Sequence, residues 1–262
     1  MAAVPTVELN NGVAIPQLGF GTYGVGQREV EIALSVGYRS LDTATIYDNE
    51  EGVGRAITAS GIPRQELFVT TKVWDDQQGY DSTLRSFEDS QRRLGLEVVD
   101  LFLIHWPAPQ LGLYVETWRA LERLLANGDV RVIGVSNFDR EHLARLADET
   151  STVPALNQVE LNPRIARPEL REYHAAHGIA TEAWAPLARA SDLLDEPAVT
   201  EPAERHGKTP AQIILRWAIE LGIVVIPRSS KRERIEENFD AFDFELDDGD
   251  VERISALDQG PA

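Results

Sequence analysis

The chain has 262 residues, 43% of them hydrophobic, and a formal net charge of −18 at pH 7. This length suits one (β/α)8 barrel, which takes roughly 250 residues, or two smaller domains, and the apolar fraction is enough for a sizeable core. The absence of cysteine excludes disulfides, thiolate metal sites and cysteine nucleophiles, and the negative charge argues against nucleic acid and anionic membranes as partners.

The start, Met1-Ala-Ala-Val-Pro-Thr-Val-Glu8, lacks a basic segment followed by an apolar run, and the chain has no stretch of about 18 apolar residues. The expectation is therefore a cytoplasmic protein. Residues 7–15 read as a hairpin with Asn11-Gly12 in its turn, placed to plug one end of a barrel. Strand-like runs follow at 17–21, 39–43, 67–72, 98–105, 131–136, 155–160, 179–184 and 223–227. Helical segments separate them. Residues 81–94 place Leu84, Phe87 and Leu94 on one side, and 113–126 carry Val115, Trp118, Leu121, Leu124 and Leu125 at spacings of three and four. Gly61, Gly128, Gly178 and Gly222 stand where helices stop before the next strand. The spacing also predicts helices over 199–206, 210–220 and 247–257. Alternating β and α elements predict a parallel sheet covered by helices. The reading is an α/β fold, a (β/α)8 TIM barrel with an N-terminal β-hairpin and two extra helices, as one domain over residues 1–262.

Gly19-Phe-Gly-Thr-Tyr-Gly24 matches the dinucleotide fingerprint of a doubly wound fold, with Asp42 about 20 residues on. The run before it, with Pro16 and Gln17, is not the Val/Ile-rich strand that a buried parallel sheet prefers. The alternative is that Gly21 lets backbone approach a ligand at the rim, with Phe20 in the core and Tyr23 as a pocket wall.

Several predicted strands end in a titratable residue: Asp42 after Arg-Ser-Leu, Lys72 after Phe-Val-Thr-Thr, His105 after Leu-Phe-Leu-Ile, with Tyr47 on the turn beyond Asp42. Singly, Asp42 could cap a turn, Lys72 could be a surface lysine, His105 a satisfied core histidine and Tyr47 a packing residue. As neighbours on the carboxyl-terminal rim of a barrel, where barrel enzymes hold their chemistry, they form one set. A phenol of pKa about 10 is a poor acid at neutral pH, and an adjacent Lys72 ammonium would lower that value. Asp42 would keep the buried lysine charged, and His105 would orient a substrate oxygen. Such a set donates a proton to a developing alkoxide and needs a hydride-donating cofactor beside it.

Asp42-Thr-Ala-x-x-Tyr47-x-Asn49-Glu50, Thr71-Lys72-Val-Trp74, Asp100-Leu-Phe-Leu-Ile-His105-Trp-Pro107, Gly134-Val-Ser-Asn137, Asn157-Gln-Val-Glu160 and Ile226-Pro-Arg-Ser229 together resemble the aldo-keto reductase superfamily. The match runs in order along nearly the whole chain. Thr181-Glu-Ala-Trp-Ala-Pro-Leu187 and Gly207-Lys-Thr-Pro-Ala-Gln212 make it most similar to the bacterial 2,5-diketo-D-gluconic acid reductases. The resemblance implies a barrel that reduces aldehydes and ketones with NADPH, NADH being less favoured. It implies Tyr47 as general acid, Lys72 and Asp42 as its tuning pair, and His105 as the residue that orients the carbonyl. Ser136, Asn137 and Gln158 would bind the nicotinamide carboxamide and Trp184 would stack on its ring. Gly21, Thr22 and Leu187 would also contact the cofactor. Arg228, Ser229 and Arg234 would hold the adenosine 2′-phosphate, and Glu237 and Asn238 the adenine. Tyr23, Trp74, His105 and Trp106 would line the substrate site, for a small-molecule carbonyl substrate and a monomeric protein.

The sequence departs from its relatives in places. Arg228 stands where they commonly have lysine, which makes NADPH over NADH a preference. The segments 25–27 and 187–202 look short, and the end at Ala262 lacks a tail that in relatives closes over the substrate, which implies an open, permissive pocket. No strong basic patch marks a substrate carboxylate, so small aldehydes, methylglyoxal-like dicarbonyls and cyclic ketones stand beside keto-sugar acids. Two other functions use the same residues: a Schiff-base lyase with Lys72 as nucleophile, and a non-enzymatic nucleotide-binding barrel. No metal is expected, because His174-Ala-Ala-His177 lacks a third ligand nearby and Asp247-Asp-Gly-Asp250 reads as an acidic helix start.

Overall fold

The computed structural model describes residues 4–260, so the readings made on Met1 and Ala262 lie outside the described residues. Strands β1 (Thr6–Glu8) and β2 (Ala14–Pro16) pair antiparallel with Val7 opposite Ile15, and Gly12 turns the connection with φ +80°. Leu9 and Ile15 of this hairpin are buried with Phe68, Leu101, Leu103, Val132, Leu156 and Val224. Those side chains fill the barrel interior, so the hairpin plugs one end.

The barrel itself is an 8-stranded parallel sheet. Its strands are β3 (Phe20–Gly21), β4 (Ser40–Asp42), β5 (Phe68–Val73), β6 (Val99–Ile104), β7 (Val130–Ser136), β8 (Leu156–Glu160), β9 (Ala180–Trp184) and β10 (Val224–Val225). Each pairs with the next in chain order. A parallel bridge from Leu18 to Val225, with Gly19 N–H donating to the Val225 carbonyl at 2.8 Å, closes the circle. Predicted runs 17–21 and 223–227 therefore shrink to two-residue strands, because closure passes through single bridges and through Pro227, which has no N–H to donate.

Strand β6 shows why these runs carry apolar residues at successive positions. Leu101 and Leu103 point into the barrel, while Phe102 and Ile104 pack outward under the helices, so both faces are buried. Asp100, at its start, is buried against Arg64 at 2.5 Å, Arg131 at 2.7 Å and the Val69 N–H at 2.8 Å. It ties three strand beginnings together, away from the rim.

Helices α1 (Gln27–Val36), α2 (Glu50–Ser60), α3 (Tyr80–Leu94), α4 (Tyr114–Asn127), α5 (Arg140–Glu149) and α6 (Pro168–Ala176) fill successive crossovers. Their apolar stripes carry Leu34, Ile57, Phe87, Trp118 and Leu146 into the outer core. Between β9 and β10 lie α7 (Pro197–His206) and α8 (Pro210–Glu220), and α9 (Arg232–Phe239) and α10 (Asp248–Ser255) follow β10. The extra helices α7 and α10 are joined by the buried Asp250, which pairs with both Arg205 and Arg253. Asp247 caps α10, accepting from the Asp250 N–H at 2.8 Å, as an acidic helix start should. Among the described residues no helix is long and apolar enough to cross a membrane.

The glycine fingerprint has a structural explanation. A Cβ on Gly21 would meet the Ile226 carbonyl oxygen at 3.0 Å, and one on Gly19 would meet Ile226 and Ser40 at 3.0 Å. These glycines let the first and last strands approach. Phe20 is buried in the core, as expected, and Tyr23 is exposed.

Candidate active site

The sequence places Asp42 at the end of β4 and Lys72 near the end of β5, and parallel pairing of these strands brings them to one level. Lys72 Nζ donates to Asp42 Oδ1 at 2.5 Å and to the Thr43 carbonyl at 2.9 Å, with both side chains buried. Asp42 therefore caps no turn. Desolvation works to strip the Lys72 proton, but Asp42 and the neighbouring phenol outweigh it and hold the amine above its ordinary range.

Tyr47 sits on a 3-10 turn, Thr45–Tyr47, held by Asn49. Asn49 Oδ1 accepts from the Thr43 hydroxyl at 2.6 Å, and its Nδ2 donates to the Thr22 carbonyl at 2.7 Å and the Val25 carbonyl at 3.0 Å. One side chain thus pins the turn to the loop after β3. Glu50, buried behind it, accepts from Thr71 Oγ1 at 2.6 Å and from Arg93 Nε at 2.7 Å. The sequence reading gave Asn49 and Glu50 no task; their adjacency to Tyr47 was the available signal.

Lys72 Nζ lies 5.1 Å from the Tyr47 ring centroid. One expectation needs correction here. Burial raises the Tyr47 pKa more than Lys72 lowers it, and Asp42 adds to the rise, so the net direction is upward. The lysine offsets a desolvation penalty and does not make the phenol acidic outright.

His105 is stacked edge-on between Tyr47, at 5.6 Å between centroids, and Trp74, at 4.9 Å. Tyr23 meets Tyr47 edge-on at 5.1 Å, so Tyr23, Tyr47, His105 and Trp74 form a row of rings. Burial, reinforced by Lys72, pushes the His105 pKa down to about 2, which keeps the imidazole neutral. Its Nδ1 is buried without a partner, so it is not a satisfied core histidine. A neutral ring carries one N–H, free to donate to a substrate oxygen. Trp106 is 40% exposed, at the edge of the row, and Gln78 Nε2 holds its carbonyl at 2.8 Å.

The opposite wall comes from β7, β8 and β9. Ser136 Oγ donates to the Gln158 carbonyl at 2.9 Å. Asn137 adopts left-handed backbone, φ 62°, which asparagine tolerates better than most residues. Its Nδ2 donates to the His105 carbonyl and to Ser136 Oγ, both at 3.0 Å, and its Oδ1 accepts from Trp184 Nε1 at 2.9 Å. Gln158 Nε2 donates to Asp42 Oδ2 at 2.8 Å and to Glu182 Oε2 at 2.7 Å. Glu182 is a site residue that sequence reasoning missed. It lies two positions before Trp184 on β9, and that alternation was the signal that it points inward. Burial, with Asp42 nearby, raises its pKa to about 8.

The remaining cofactor candidates come from the chain after β3, β9 and β10 and from α9. Thr22 is buried with its hydroxyl donated to the Asp42 carbonyl at 2.9 Å, and Leu187 is half-buried after β9. Arg228 and Ser229 follow β10, and Arg234, Glu237 and Asn238 are on α9. Arg228 reaches the row of rings, its guanidinium 5.9 Å from the Tyr23 centroid. Ser229 Oγ caps the loop by accepting from the Lys231 N–H at 3.0 Å, and Glu237 accepts from Thr209 Oγ1 at 2.7 Å. Among the described residues no carboxylate pairs with Arg228 or Arg234, whereas Arg232 pairs with Glu236 at 3.1 Å.

His174 is buried between Asn157, at 3.0 Å, and Thr181, at 2.9 Å, and no group of metal-ligating side chains occurs among the described residues.

A family model described as Aldo/keto reductase family matches residues 17–259. The glyoxal reductase of Bacillus subtilis is 49% identical over 97% of this chain and 93% of its own. The methylglyoxal reductase DkgA of Salmonella typhimurium is 44% identical over 99% and 96%. A variant of Gox0644 solved in complex with NADPH superposes with a TM-score of 0.94 at 45% identity, covering 98% of this chain and 95% of that one.

Proposed function

The chain belongs to the aldo/keto reductase family, and from that premise we propose that it reduces small aldehydes and dicarbonyl compounds to alcohols with NADPH, Tyr47 delivering the proton. The family reaction is carbonyl reduction with a nicotinamide cofactor. The observation that carries the finer reading is the buried Asp42–Lys72 pair beside Tyr47, with a neutral His105 edge-on to the same ring.

The residues present fit a nicotinamide dinucleotide. Gln158 commits its nitrogen to two carboxylates, which leaves Oε1 as an acceptor for a carboxamide N–H, and Asn137 Oδ1 keeps one lone pair. Arg228 and Arg234, unpaired with carboxylates among the described residues, suit a phosphate monoester such as the one that distinguishes NADPH from NADH. Trp184, fixed through its indole N–H, offers a flat face. When bound, the reduced nicotinamide supplies hydride.

The chain's own work is then binding and proton delivery. The row of rings walls in a small carbonyl compound. His105 donates its N–H to the carbonyl oxygen and orients it. Tyr47 gives its proton to that oxygen as negative charge develops, and Lys72 favours the phenolate left behind. Asp42 keeps Lys72 charged and in place. A Schiff-base role for Lys72 is disfavoured, because such a nucleophile needs a free amine and this one holds its proton more firmly than usual.

Glyoxal and methylglyoxal are the proposed substrate type, in line with the names of the two relatives. A keto-sugar acid such as 2,5-diketo-D-gluconate is the alternative. The proposal includes a single barrel domain over residues 1–262 and a cytoplasmic monomer. In support of one domain, the family match reaches from 17 to 259. The test is loss of NADPH absorbance with glyoxal, methylglyoxal, cyclic ketones and a keto-sugar acid, beside NADH. Turnover of the dicarbonyls with NADPH favoured is expected. No consumption with any carbonyl would leave a nucleotide-binding barrel as the reading.

A further inference from the structure

Glu182 has no place in the proton-delivery scheme, yet it is buried at the level of the site. Its side chain accepts from the same nitrogen of Gln158 that donates to Asp42. In the sheet, its neighbours are Gln158 on β8 and Val224 on β10, which do not titrate. The charged groups that face it are Asp42 from β4 and Lys72 from β5.

We propose that Glu182 is a positioning residue for the cofactor, fixing the plane and the end-for-end orientation of the Gln158 carboxamide by taking its second N–H. This inference rests on the reading of Gln158 as a contact of the nicotinamide carboxamide.

The last torsion of a glutamine is broad, and one hydrogen bond leaves the amide plane free to turn about it. Two acceptors, at 2.8 Å and 2.7 Å from one nitrogen, define both the plane and which end faces them. Asp42, paired with Lys72, only accepts, so the Gln158 nitrogen must face it and the amide oxygen must face away, and Glu182 takes the second N–H through an oxygen that carries no proton. Gln158 is thereby presented to the cofactor as an acceptor held in one orientation, and little ordering remains to be done on binding. Replacing the Glu182 side chain with an apolar one leaves Asp42 as the only acceptor and frees the plane.

The test is a fluorescence titration of the free protein with NADPH and with NADH, using Glu182→Leu and Glu182→Gln. Glu182→Leu should raise Kd for both cofactors by the same factor, roughly tenfold, while kcat changes less than about threefold. Glu182→Gln keeps a carbonyl acceptor and should bring Kd back to within about twofold of wild type. A merely structural role would lower kcat and Kd-defined affinity together and would not be rescued by glutamine. Should Glu182→Leu not fold, Glu182→Asp, which withdraws the acceptor by one methylene, must show the same weakening. Wild-type affinity in the leucine or aspartate variant, or a glutamine variant as weak as leucine, overturns the proposal. Absence of any carbonyl turnover by the wild type would instead count against the function, and the titrations would still judge Glu182.

Discussion

Replacing Lys72 with methionine keeps the length and most of the volume of the side chain and removes only the ammonium. The structure sets two magnitudes. With the charge 5.1 Å from the Tyr47 ring centroid and an effective dielectric of about 20, the lost stabilisation of the phenolate is about 3 kcal/mol. That corresponds to roughly two decades in the proton-transfer rate. Asp42, 3% exposed, would also be left as a buried charge without its cation, which costs about 3–5 kcal/mol of folding stability. The two effects separate in the double variant Asp42→Asn/Lys72→Met, where no charge remains to be stranded. Urea unfolding should show Lys72→Met strongly destabilised and the double variant largely restored. NADPH consumption with methylglyoxal should be about a hundredfold slower or worse in both. A single variant within about threefold of the wild-type rate, or a double variant that recovers rate along with stability, would refute the electrostatic argument and leave the lysine a packing role.

Arg228→Ala and Arg234→Ala should each weaken NADPH by roughly tenfold or more and NADH by little, as expected for a charge-assisted hydrogen bond to a phosphate of about 1.5–3 kcal/mol; equal loss for both cofactors in a titration would contradict this. His105, held down to about 2, stays neutral in the fold while the unfolded chain protonates near 6.5. Its contribution to stability is therefore present above that pH and is lost as pH falls, at up to roughly 1.4 kcal/mol per pH unit. His105→Asn should flatten the slope of stability between about pH 4 and 6, measured by urea melts, and an unchanged slope would count against a neutral His105. Glu182 runs the other way. Its folded pKa of about 8 lies above the ordinary 4.5, so its contribution is full below 4.5 and is lost as pH rises through 8. Glu182→Gln should gain stability over wild type as pH rises toward 9, and a parallel pH profile would contradict the raised carboxyl.

Much of this architecture could be read from the sequence because parallel barrel strands bury both faces. Apolar runs such as 101–104, each followed by a helical period, therefore announced themselves. The ends of the barrel were harder. Strands β3 and β10 are two residues long and close the barrel through Leu18 and Val225, a pairing that no local pattern encodes. Asp42, Lys72 and His105 stood out because each terminates an apolar run, and the barrel rim then brings them together with Tyr47. Glu182 did not stand out, since in Ala180–Trp184 only the alternation with Trp184 assigns it to the inner face. The direction of the Tyr47 shift was misjudged for a related reason. The charge of a lysine can be read from sequence, but the depth of burial that opposes it cannot.

The most direct measurement is a single turnover of Tyr47→Phe with bound NADPH and methylglyoxal, alongside a fluorescence titration of cofactor binding. If Tyr47 is the proton donor, the rate falls by about 10²–10⁴-fold while the NADPH Kd stays within about threefold of wild type. A phenylalanine variant that turns over at the wild-type rate would remove Tyr47 from the chemistry.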